Sequence, residues 1–419
     1  MVHLPPRTLF LAGVLLPALL TGTVVLAQVQ ESRSYRLEEM IGMALQNNPG
    51  LQEAASLVTR GQGLKTTASA YPNPSIDGTF GPGRTRESLG NTHFFERGIT
   101  VSQPLEWPGM RQARQRAAEA GLAGFEATVA ATRLNVLADV KIAFYQLLLA
   151  QRNAQLITEA LAIVQDFHRS VKARVDAGQA RPFETLKANV EVQKVGNDLN
   201  HAQHTLIVAR SRLNALTGGL LGKNFGVQGD FVSSRRELNL EDLIASAMEQ
   251  HPTVHRVRKE IERAGHSIVQ ERQSLIPFVT VSGLFHQEAA ETAYLARLSV
   301  PIPLWYRRQG EITVALSAKQ RAEAEQVRMQ NELVSAITES VEEAHAAQDQ
   351  LEVFEKGLLK QTEETLRIAK ISFQQGAASL LEFIDAQRVH RQMLLEYAQA
   401  RANLSVELAR LERWTGEIR

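Results

Sequence analysis

The spacing of apolar residues changes twice within each half of the chain, from a helical period to alternation and back again. Each half opens with a short helical segment, which begins at Leu37 in the first half and at Leu240 in the second. A proline follows each segment, Pro49 or Pro252, and proline suits the first turn of a helix because that position has no helical hydrogen bond to lose. The pattern therefore predicts two consecutive helices at the start of each half.

Alternating apolar and polar residues then predict two strands in each half. The predicted strands are Ser75–Phe80, Phe94–Gln103, Phe278–Phe285 and Tyr294–Val300. The connections Gly81–His93 and His286–Ala293 are polar, and we expect them to be loops. Because proline cannot donate to a strand ladder, we expect Pro104 to end the second strand and Pro301 and Pro303 to end the fourth.

A very long segment without proline follows each pair of strands. Gln112–Ala177 and Ile312–Gln375 are rich in Ala, Leu, Glu, Gln and Arg, which all favour helix. At 1.5 Å per residue each segment would form a helix of roughly 100 Å. Helices of that length imply coiled-coil-like packing.

A turn and a returning helix follow each long segment. Gly178 and Gly376 suit the left-handed conformation that commonly ends a helix. In the second half, Ser379 and Glu382 have the spacing of a capping box, so a new helix is expected to start there. The returning helices are predicted over Phe183–Leu216 and Leu380–Trp414.

The two halves repeat one pattern. Trp107 and Trp305 lie 198 residues apart, and the same offset aligns Gly178 with Gly376 and the Thr-Gly pair that ends each half. A chance match between helical, alanine-rich segments would not keep tryptophan and glycine in one register, so we interpret the pattern as an internal duplication. The predicted division is a first repeat over residues 28–218, a linker over residues 219–236 and a second repeat over residues 237–419.

Residues 1–27 differ from the rest of the chain. Arg7 precedes an apolar run that glycine and proline interrupt, and the run ends in Val25-Leu26-Ala27, which suits a cleavage site. An uncleaved anchor helix is the alternative, since the run approaches spanning length. The helix-weakening residues favour a cleaved secretory signal peptide.

Charge and cysteine content exclude several classes of protein. The chain has 46 basic and 45 acidic residues, so it has no basic field with which to bind nucleic acid or anionic lipid. It has no cysteine, which excludes disulfides, thiolate zinc sites and a lipid-modified N-terminal cysteine. After residue 27 no apolar run reaches about 18 residues, so a chain that crossed a membrane would do so as strands.

Four strands are too few to close a membrane barrel. Lipid does not tolerate unpaired strand edges, but three chains would supply twelve strands, enough for an open barrel. Apolar residues would then face lipid and polar residues the lumen: Ile99, Val101, Leu298 and Val300 outward, and Thr100, Ser102, Arg297 and Ser299 inward. On alternation alone, a small soluble sheet with one buried face is an equal alternative. The signal peptide and the long helices favour the barrel.

These features resemble the TolC-like outer-membrane efflux proteins over nearly all of the mature chain. The resemblance rests on the Leu-Glu-x-x-Ile-x-x-Ala-x-x-x-x-Pro opening, on the segment Gln103–Arg111 and on the turns Ala177–Ala180 and Gln375–Ala378. The segment Gln103–Arg111 also resembles the CzcC-like branch, which serves heavy-metal pumps.

The resemblance implies a mainly α-helical fold with a small β part, in which a homotrimer combines a twelve-stranded β-barrel in outer-membrane lipid with an α-helical barrel in the periplasm. Its partners would be a periplasmic membrane-fusion adaptor and an inner-membrane RND-type pump, with no catalytic residue, cofactor or metal site in this chain. The hairpin turns would be the periplasmic tips that contact the adaptor. The residues implied there are Gly178, Gln179, Gly376 and Ala377.

Two further groups of residues are candidates for function. Asp385 and Glu382 match the position where the family places acids in a narrow lumen, and three copies would form a negative gate. Alternatively, Glu382 caps its helix and Asp385 is a solvated acid that the helix dipole favours. Trp107 and Trp305 suit a membrane interface, or else they pack the junction between strand and helix.

Two other functions remain open from the sequence. A periplasmic coiled-coil scaffold, with the strands as a soluble cap, is the main alternative to the channel. An enzyme is less favoured, because phosphate-loop, nucleophile-elbow and zinc-protease motifs are all missing. The pairs His201 with His204 and His251 with His255 are interpreted as surface residues rather than metal ligands. Metal, drug and solvent all remain candidate substrates.

Overall fold

A computed structural model describes residues 33–84, 93–232, 237–289 and 291–416. The predicted signal peptide lies outside the described residues, as do residues 85–92 of the first predicted strand connection. The predicted fold class is confirmed, since the described chain is mainly helical with a small β part.

The same order of elements occurs in both repeats. The first repeat comprises β1 (Ser34–Tyr35), α1 (Leu37–Asn47), α2 (Pro49–Ser69), β2 (Ser75–Arg84), β3 (His93–Leu105), α3 (Pro108–Asp176) and α4 (Pro182–Leu216). A short strand, β4 (Gly226–Val227), follows. The second repeat comprises α5 (Leu240–Gln250), α6 (Pro252–Gln273), β5 (Val279–Glu288), β6 (Glu291–Ser299), α7 (Gln309–Val353), α8 (Leu359–Gln374) and α9 (Leu380–Thr415).

Equivalent residues join the two opening helices in each repeat. Asn48 accepts a hydrogen bond from the first turn of α2 and donates one to the Leu216 carbonyl at the end of α4, both at 2.9 Å. In the second repeat, His251 Nδ1 accepts from the Thr253 N–H at 3.2 Å, and His251 Nε2 lies 3.1 Å from the Arg413 carbonyl near the end of α9. Each residue therefore caps one helix and ties it to the returning helix of its own repeat.

The four longer strands form one antiparallel sheet in the order β2-β3-β5-β6. One row across the sheet pairs Ile76, Val101, Gly283 and Ala296. The contact between β3 and β5 joins the two repeats, so each repeat supplies one hairpin to a common sheet.

The strands extend further than the alternation predicts. The predicted loop His286–Ala293 is wrong, because β5 and β6 continue to Glu288 and from Glu291. The polar residues of this segment belong to the ends of β5 and β6, where polarity alone does not distinguish a strand from a loop. The prediction that Pro104 ends its strand is also wrong, since Pro104 pairs with Thr280. Pro104 lies beyond the pair Ser75–Ser102, where the pairing of β3 with β2 stops, so β3 has only one neighbouring strand there and the missing N–H need not interrupt the ladder.

The second long helix is interrupted, contrary to the prediction of one continuous helix over Ile312–Gln375. A π-helical turn over Phe354–Leu358 separates α7 from α8, and within it Gly357 has φ of 129°. That φ favours glycine, which has no Cβ to clash with the backbone.

The π turn compensates for a shift in register between the repeats. In the middle of α3 and α7, fully buried residues align at an offset of 197, as in Val140 with Ile337 and Leu147 with Ala344. The hairpin turns align at 198, Gly178 with Gly376. A π turn closes i→i+5 hydrogen bonds and so holds one more residue than an α turn. The extra residue restores the register before the tip.

The segment between the repeats packs onto the helices. Phe225, Val227 and Phe231 are buried in a cluster that also includes Phe144 of α3 and Val406 of α9. Within this segment β4 pairs in parallel with β1. This small sheet was not predicted, because two-residue strands are too short to show alternation.

Candidate functional site

The four-stranded sheet has one apolar face. Residues directly opposite each other in an antiparallel sheet point to the same side, so the register assigns each side chain to a face. One face collects most of the large apolar residues of the four strands: Ile76, Phe80, Phe95, Ile99, Val101, Leu105, Val279, Val281, Phe285, Tyr294 and Leu298. Most of them are exposed in the single chain.

The opposite face of the sheet is mainly polar, although Phe94, Leu284 and Leu295 also lie on it. It includes Thr100, Ser102, Arg297 and Ser299, which the alternation placed on one side. The Ser102 and Ser282 hydroxyls are hydrogen-bonded across the contact between repeats at 2.8 Å. The two faces of the sheet therefore differ in polarity, and the apolar face is largely uncovered in the single chain.

A cluster of ionisable side chains also lies on the polar face. His286 Nε2 is 3.5 Å from a Glu96 carboxylate oxygen and 3.6 Å from a Glu288 carboxylate oxygen. On the apolar face, Arg97 has a polar partner, because its Nε donates to the Gln287 side chain at 2.7 Å.

The sheet has two unpaired edges within the described residues, at β2 and at β6. Unpaired N–H and C=O groups at an edge are a template for another strand. The β6 edge of one chain can therefore pair with the β2 edge of a second chain.

Two arginines fix the junction between the first strand pair and the long helix. Arg114 binds both oxygens of the Glu106 carboxylate, each at 2.9 Å, and its Nε donates to the Ala68 carbonyl at 3.0 Å. Arg111 donates to the Ser69 carbonyl at 2.7 Å. Arg111, at the end of the segment that resembles the heavy-metal branch, and Arg114 therefore hold the end of α2 against the start of α3. Sequence reasoning missed this role, because the arginine partners lie about 40 residues away.

The two tryptophans at this level have different environments. Trp107 is 49 % exposed and lines a cavity of about 420 Å³ together with Phe278 and Ile302, whereas Trp305 is 90 % exposed. Trp305 therefore has little packing within its own chain.

The two hairpin turns at the far end have the same geometry. Gly178 and Gly376 have φ of 73° and 78°. The Gln179 N–H donates to the Arg174 carbonyl and the Ala377 N–H to the Ser372 carbonyl, both at 2.8 Å. These bonds close a Schellman-type cap, for which glycine is the suitable residue.

The two candidate gate acids differ in their contacts. Glu382 accepts a hydrogen bond from the Ser379 N–H at 2.6 Å, and this contact lowers the pKa of its carboxyl. The Ser379 hydroxyl accepts from the Glu382 N–H at 3.3 Å, which completes the capping box. Asp385, one turn further, is exposed and paired with Arg388. Glu382 is thus held at the helix start, while Asp385 projects from the surface.

An aromatic cluster holds the two hairpins together beside the tip. Phe167 of α3 stacks on Phe383 of α9 with ring centroids 4.2 Å apart, and Phe373 of α8 lies 4.9 Å from Phe167. The Arg174 guanidinium lies 5.0 Å from the Phe373 ring centroid. Sequence reasoning missed this cluster, because its members come from three helices of two repeats.

A buried arginine links the two returning helices above this cluster. Arg391 of α9 lies 3.9 Å from the Glu191 carboxylate and 3.8 Å from that of Asp198, both on α4. The side chain is almost fully buried, so this charge is compensated across the repeats rather than by water.

The four histidines of the two pairs differ in burial. In the described ranges, no three metal-ligating side chains of His, Cys, Asp or Glu cluster suitably for an ion. The interpretation of His251 as a surface residue is wrong, because His251 is buried as a helix cap, whereas His201, His204 and His255 are exposed. Among the described helices, none combines the length and apolar character that crossing a bilayer requires.

Comparison of the sequence with models of protein families identifies the family of this chain. The family model described as outer membrane efflux protein matches residues 40–219 and 243–417. The chain belongs to the outer membrane efflux protein family. The predicted TolC-like resemblance, efflux function and outer-membrane location are therefore confirmed at the level of the family.

Two relatives cover most of this efflux protein. The cobalt-zinc-cadmium resistance protein CzcC of Cupriavidus metallidurans is 26% identical over 367 residues, which are 86% of this chain and 85% of CzcC. The cation efflux system protein CusC of Escherichia coli is 22% identical over 384 residues, which are 87% of this chain and 84% of CusC.

A solved structure has the same fold. The outer membrane protein VceC of Vibrio cholerae superimposes with a TM-score of 0.77 at 19% identity, over 91% of this chain and 96% of VceC. The two chains thus share one fold.

Proposed function

We propose that three copies of this efflux protein form the outer-membrane exit duct of a tripartite efflux system. The carrying observation is the four-stranded sheet, with its exposed apolar face, its polar face and its two unpaired edges. Three such sheets joined edge to edge make a closed barrel of twelve strands, which leaves no edge in lipid. The apolar face then contacts lipid and the polar face lines a wet lumen.

The long hairpins extend this duct into the periplasm. α3 has 69 residues, and at 1.5 Å per residue it is about 100 Å long. The four turn residues Gly178, Gln179, Gly376 and Ala377 lie exposed at the far end. That position makes them the contact for the membrane-fusion adaptor, which connects the duct to an inner-membrane RND-type pump.

In the trimer, three copies of Asp385 form a ring of negative charge at this tip. Because Asp385 is exposed and its ion pair with Arg388 is also exposed to solvent, the ring keeps part of its field and disfavours anions. Glu382 contributes less, since its carboxylate is engaged in capping α9. The first repeat has Glu184 and Lys187 at the equivalent positions, so the gate has threefold rather than sixfold symmetry.

Two tryptophans mark the periplasmic edge of the membrane in this arrangement. Trp305 is almost fully exposed at the end of the strands, where an amphipathic ring is favoured at a lipid interface. Trp107 is half-buried at the equivalent position and also packs the junction. The proposed division into repeats, residues 28–218 and 237–419 joined by the linker 219–236, follows the same two-part organisation. Each repeat contributes one hairpin to the barrel and one to the periplasmic duct.

The proposed cargo is a heavy-metal cation. CzcC is described by resistance to cobalt, zinc and cadmium and CusC by cation efflux, and each aligns with more than four fifths of this chain. A duct of this kind performs no chemistry, and the pump supplies the energy. An enzymatic role has no support from the family.

Deletion of the gene tests the cargo. The deletion strain is compared with a complemented strain on a panel of cobalt, zinc, cadmium and copper salts, together with lipophilic drugs. We expect sensitivity to one or more of the metals, with drug tolerance unchanged. Sensitivity to drugs alone would contradict the proposed cargo while leaving the duct intact.

A further inference from the structure

The junction between strands and helices differs between the two repeats. In the first repeat, Arg114 binds the Glu106 carboxylate and Arg111 donates to the end of α2, so polar contacts close the junction. The offset of 198 that aligns the two tryptophans places uncharged residues at these three positions in the second repeat: Leu304, Gln309 and Ile312. The same polar clamp therefore cannot form there.

A cavity of about 420 Å³ lies at the junction of the second repeat. The end of α6, the start of β5 and the segment after β6 line it, and Trp107 and Met110 of the first repeat complete its wall. Most of the lining side chains are apolar, among them Leu275, Phe278 and Ile302. This volume and lining are typical of a site that binds a largely apolar group.

The cavity continues the apolar face of the sheet. Leu105 and Val279 pair directly at the ends of β3 and β5, and both belong to that face. Two residues beyond them along the chain, Trp107 and Pro277 line the cavity. Side chains two positions apart lie on one side of an extended backbone, and Trp107 is still extended, with φ of −65° and ψ of 128°. The cavity therefore opens on the side that we assign to lipid.

Exposed apolar side chains surround the cavity. Ile302, Leu304, Trp305 and Tyr306 follow β6, and all four are exposed in the single chain. A contiguous apolar patch of this kind marks an interaction surface. Tryptophan and tyrosine are favoured where lipid meets water, because their rings combine an apolar body with a polar group.

The rim of the cavity carries positive charge. Arg308 lines the cavity and pairs with Glu271, to which its Nε donates at 3.1 Å, so these two charges compensate each other. Arg272 and Arg307 are their neighbours in sequence, and both are exposed. Neither is ion-paired within the part of the chain that the structure describes. The rim therefore keeps two guanidinium groups that can bind a phosphate.

We propose that this cavity, the junction pocket, binds one acyl chain of a glycerophospholipid from the periplasmic leaflet of the outer membrane, with the lipid phosphate near Arg272 and Arg307. The inference rests on the proposed duct, because only insertion of the barrel brings this junction to the lipid surface. Since polar contacts close the equivalent junction of the first repeat, each chain binds one such lipid and each trimer binds three.

Photocross-linking tests the junction pocket. Purified full-length trimer is reconstituted into phosphatidylethanolamine vesicles that contain a phosphatidylglycerol with a diazirine in one acyl chain. After irradiation, cross-linked peptides are identified by mass spectrometry. We expect cross-links in the pocket, at Met110, Leu275 and Ile302. Bulk lipid should also label the apolar face of the sheet, at Val101 and Leu298, and this labelling is the internal reference.

Ser274→Phe should block the pocket, because Ser274 is half-buried and lines it. This variant should lose the pocket cross-links and keep those on the sheet. The matched control is Ser267→Phe. Ser267 is also half-buried on α6, but it lies two turns earlier, about 10 Å along the helix, and does not line the pocket. The control should keep both sets of cross-links.

Comparison of two lipids tests the phosphate contact. A diacylglycerol with the same diazirine has the same chains but no phosphate, so it should label the pocket less than phosphatidylglycerol does. Arg272→Gln/Arg307→Gln removes the two rim charges from exposed positions. It should raise the phosphatidylglycerol content needed for half-maximal pocket labelling by about fivefold for each arginine. Labelling by diacylglycerol should stay unchanged. Equal labelling of the natural chain by both lipids would refute the phosphate contact.

The outcomes separate this inference from the proposed function. Trimers labelled on the sheet but not in the pocket would overturn the inference and leave the duct standing. Pocket labelling that Ser274→Phe does not reduce would do the same. Absence of labelling from the apolar face of the sheet as well would overturn both.

Discussion

Val101 and Thr100 are neighbours in β3 that point to opposite faces of the sheet, and they allow the lipid face to be tested with a single substitution. Val101 lies within the apolar band, opposite Ile76 and Gly283. An arginine on the lipid face near the bilayer midplane costs about 2–4 kcal/mol. Three chains carry the substitution, so Val101→Arg should cost about 6–12 kcal/mol per trimer. Total stabilities of folded proteins are typically about 5–15 kcal/mol, so assembly should largely fail.

Thr100→Arg is the matched control. Thr100 lies opposite Asp77 on the polar face, where an added guanidinium remains in water and gains a nearby carboxylate. Its cost should be within about 1 kcal/mol. The assay is the fraction of protein recovered as heat-modifiable trimer from outer membranes, with Val101→Leu as a second control. Equal loss from both arginine variants, or a larger loss from Thr100→Arg, would refute the assignment of the two faces.

Three further predictions concern the helix ends and the tip. Burial lowers the pKa of His251 from its ordinary value near 6.5, so the unfolded chain binds the proton first and thermal stability of the trimer should fall as the pH drops below that value. His251→Asn, which copies Asn48, should keep the cap and abolish this contribution; an unchanged pH dependence would contradict the argument. Gly376→Ala should destabilise the turn by about 1 kcal/mol because of its positive φ, detected as faster hydrogen exchange confined to the tip. Asp385→Asn should reduce the cation preference of reconstituted channels, and an unaltered reversal potential would exclude the ring.

The long hairpins could be predicted because their determinants are local. Strong helix formers fill the segments, and Gly178 and Gly376 end them at positions where their φ is indeed positive. The break in the second helix could not be predicted in the same way. Gly196 lies inside α4 without interrupting it, whereas Gly357 lies in a π turn. What distinguishes the two is the register that tertiary packing imposes, which has no local signal.

In the candidate site, too, the features with a local signal could be predicted, and the features that depend on tertiary packing could not. The two faces of the sheet follow from alternation, and the register confirms that Ile99 and Val101 share one face while Thr100 and Ser102 share the other. The aromatic cluster beside the tip and the buried Arg391 join residues about 200 positions apart, so a single sequence gives no signal for either. The buried cap of His251 was missed because a histidine spaced four residues from another suggests a helix surface.

Cell fractionation tests most directly whether the protein assembles as a trimer in the outer membrane. Cells expressing the full chain are separated into soluble periplasm, inner membrane and outer membrane, and each fraction is run on gels with and without boiling. We predict that the protein is found in the outer membrane and migrates as a trimer that only boiling converts to monomer. Recovery as a monomer in the soluble periplasm would contradict the trimeric outer-membrane duct and favour the coiled-coil scaffold.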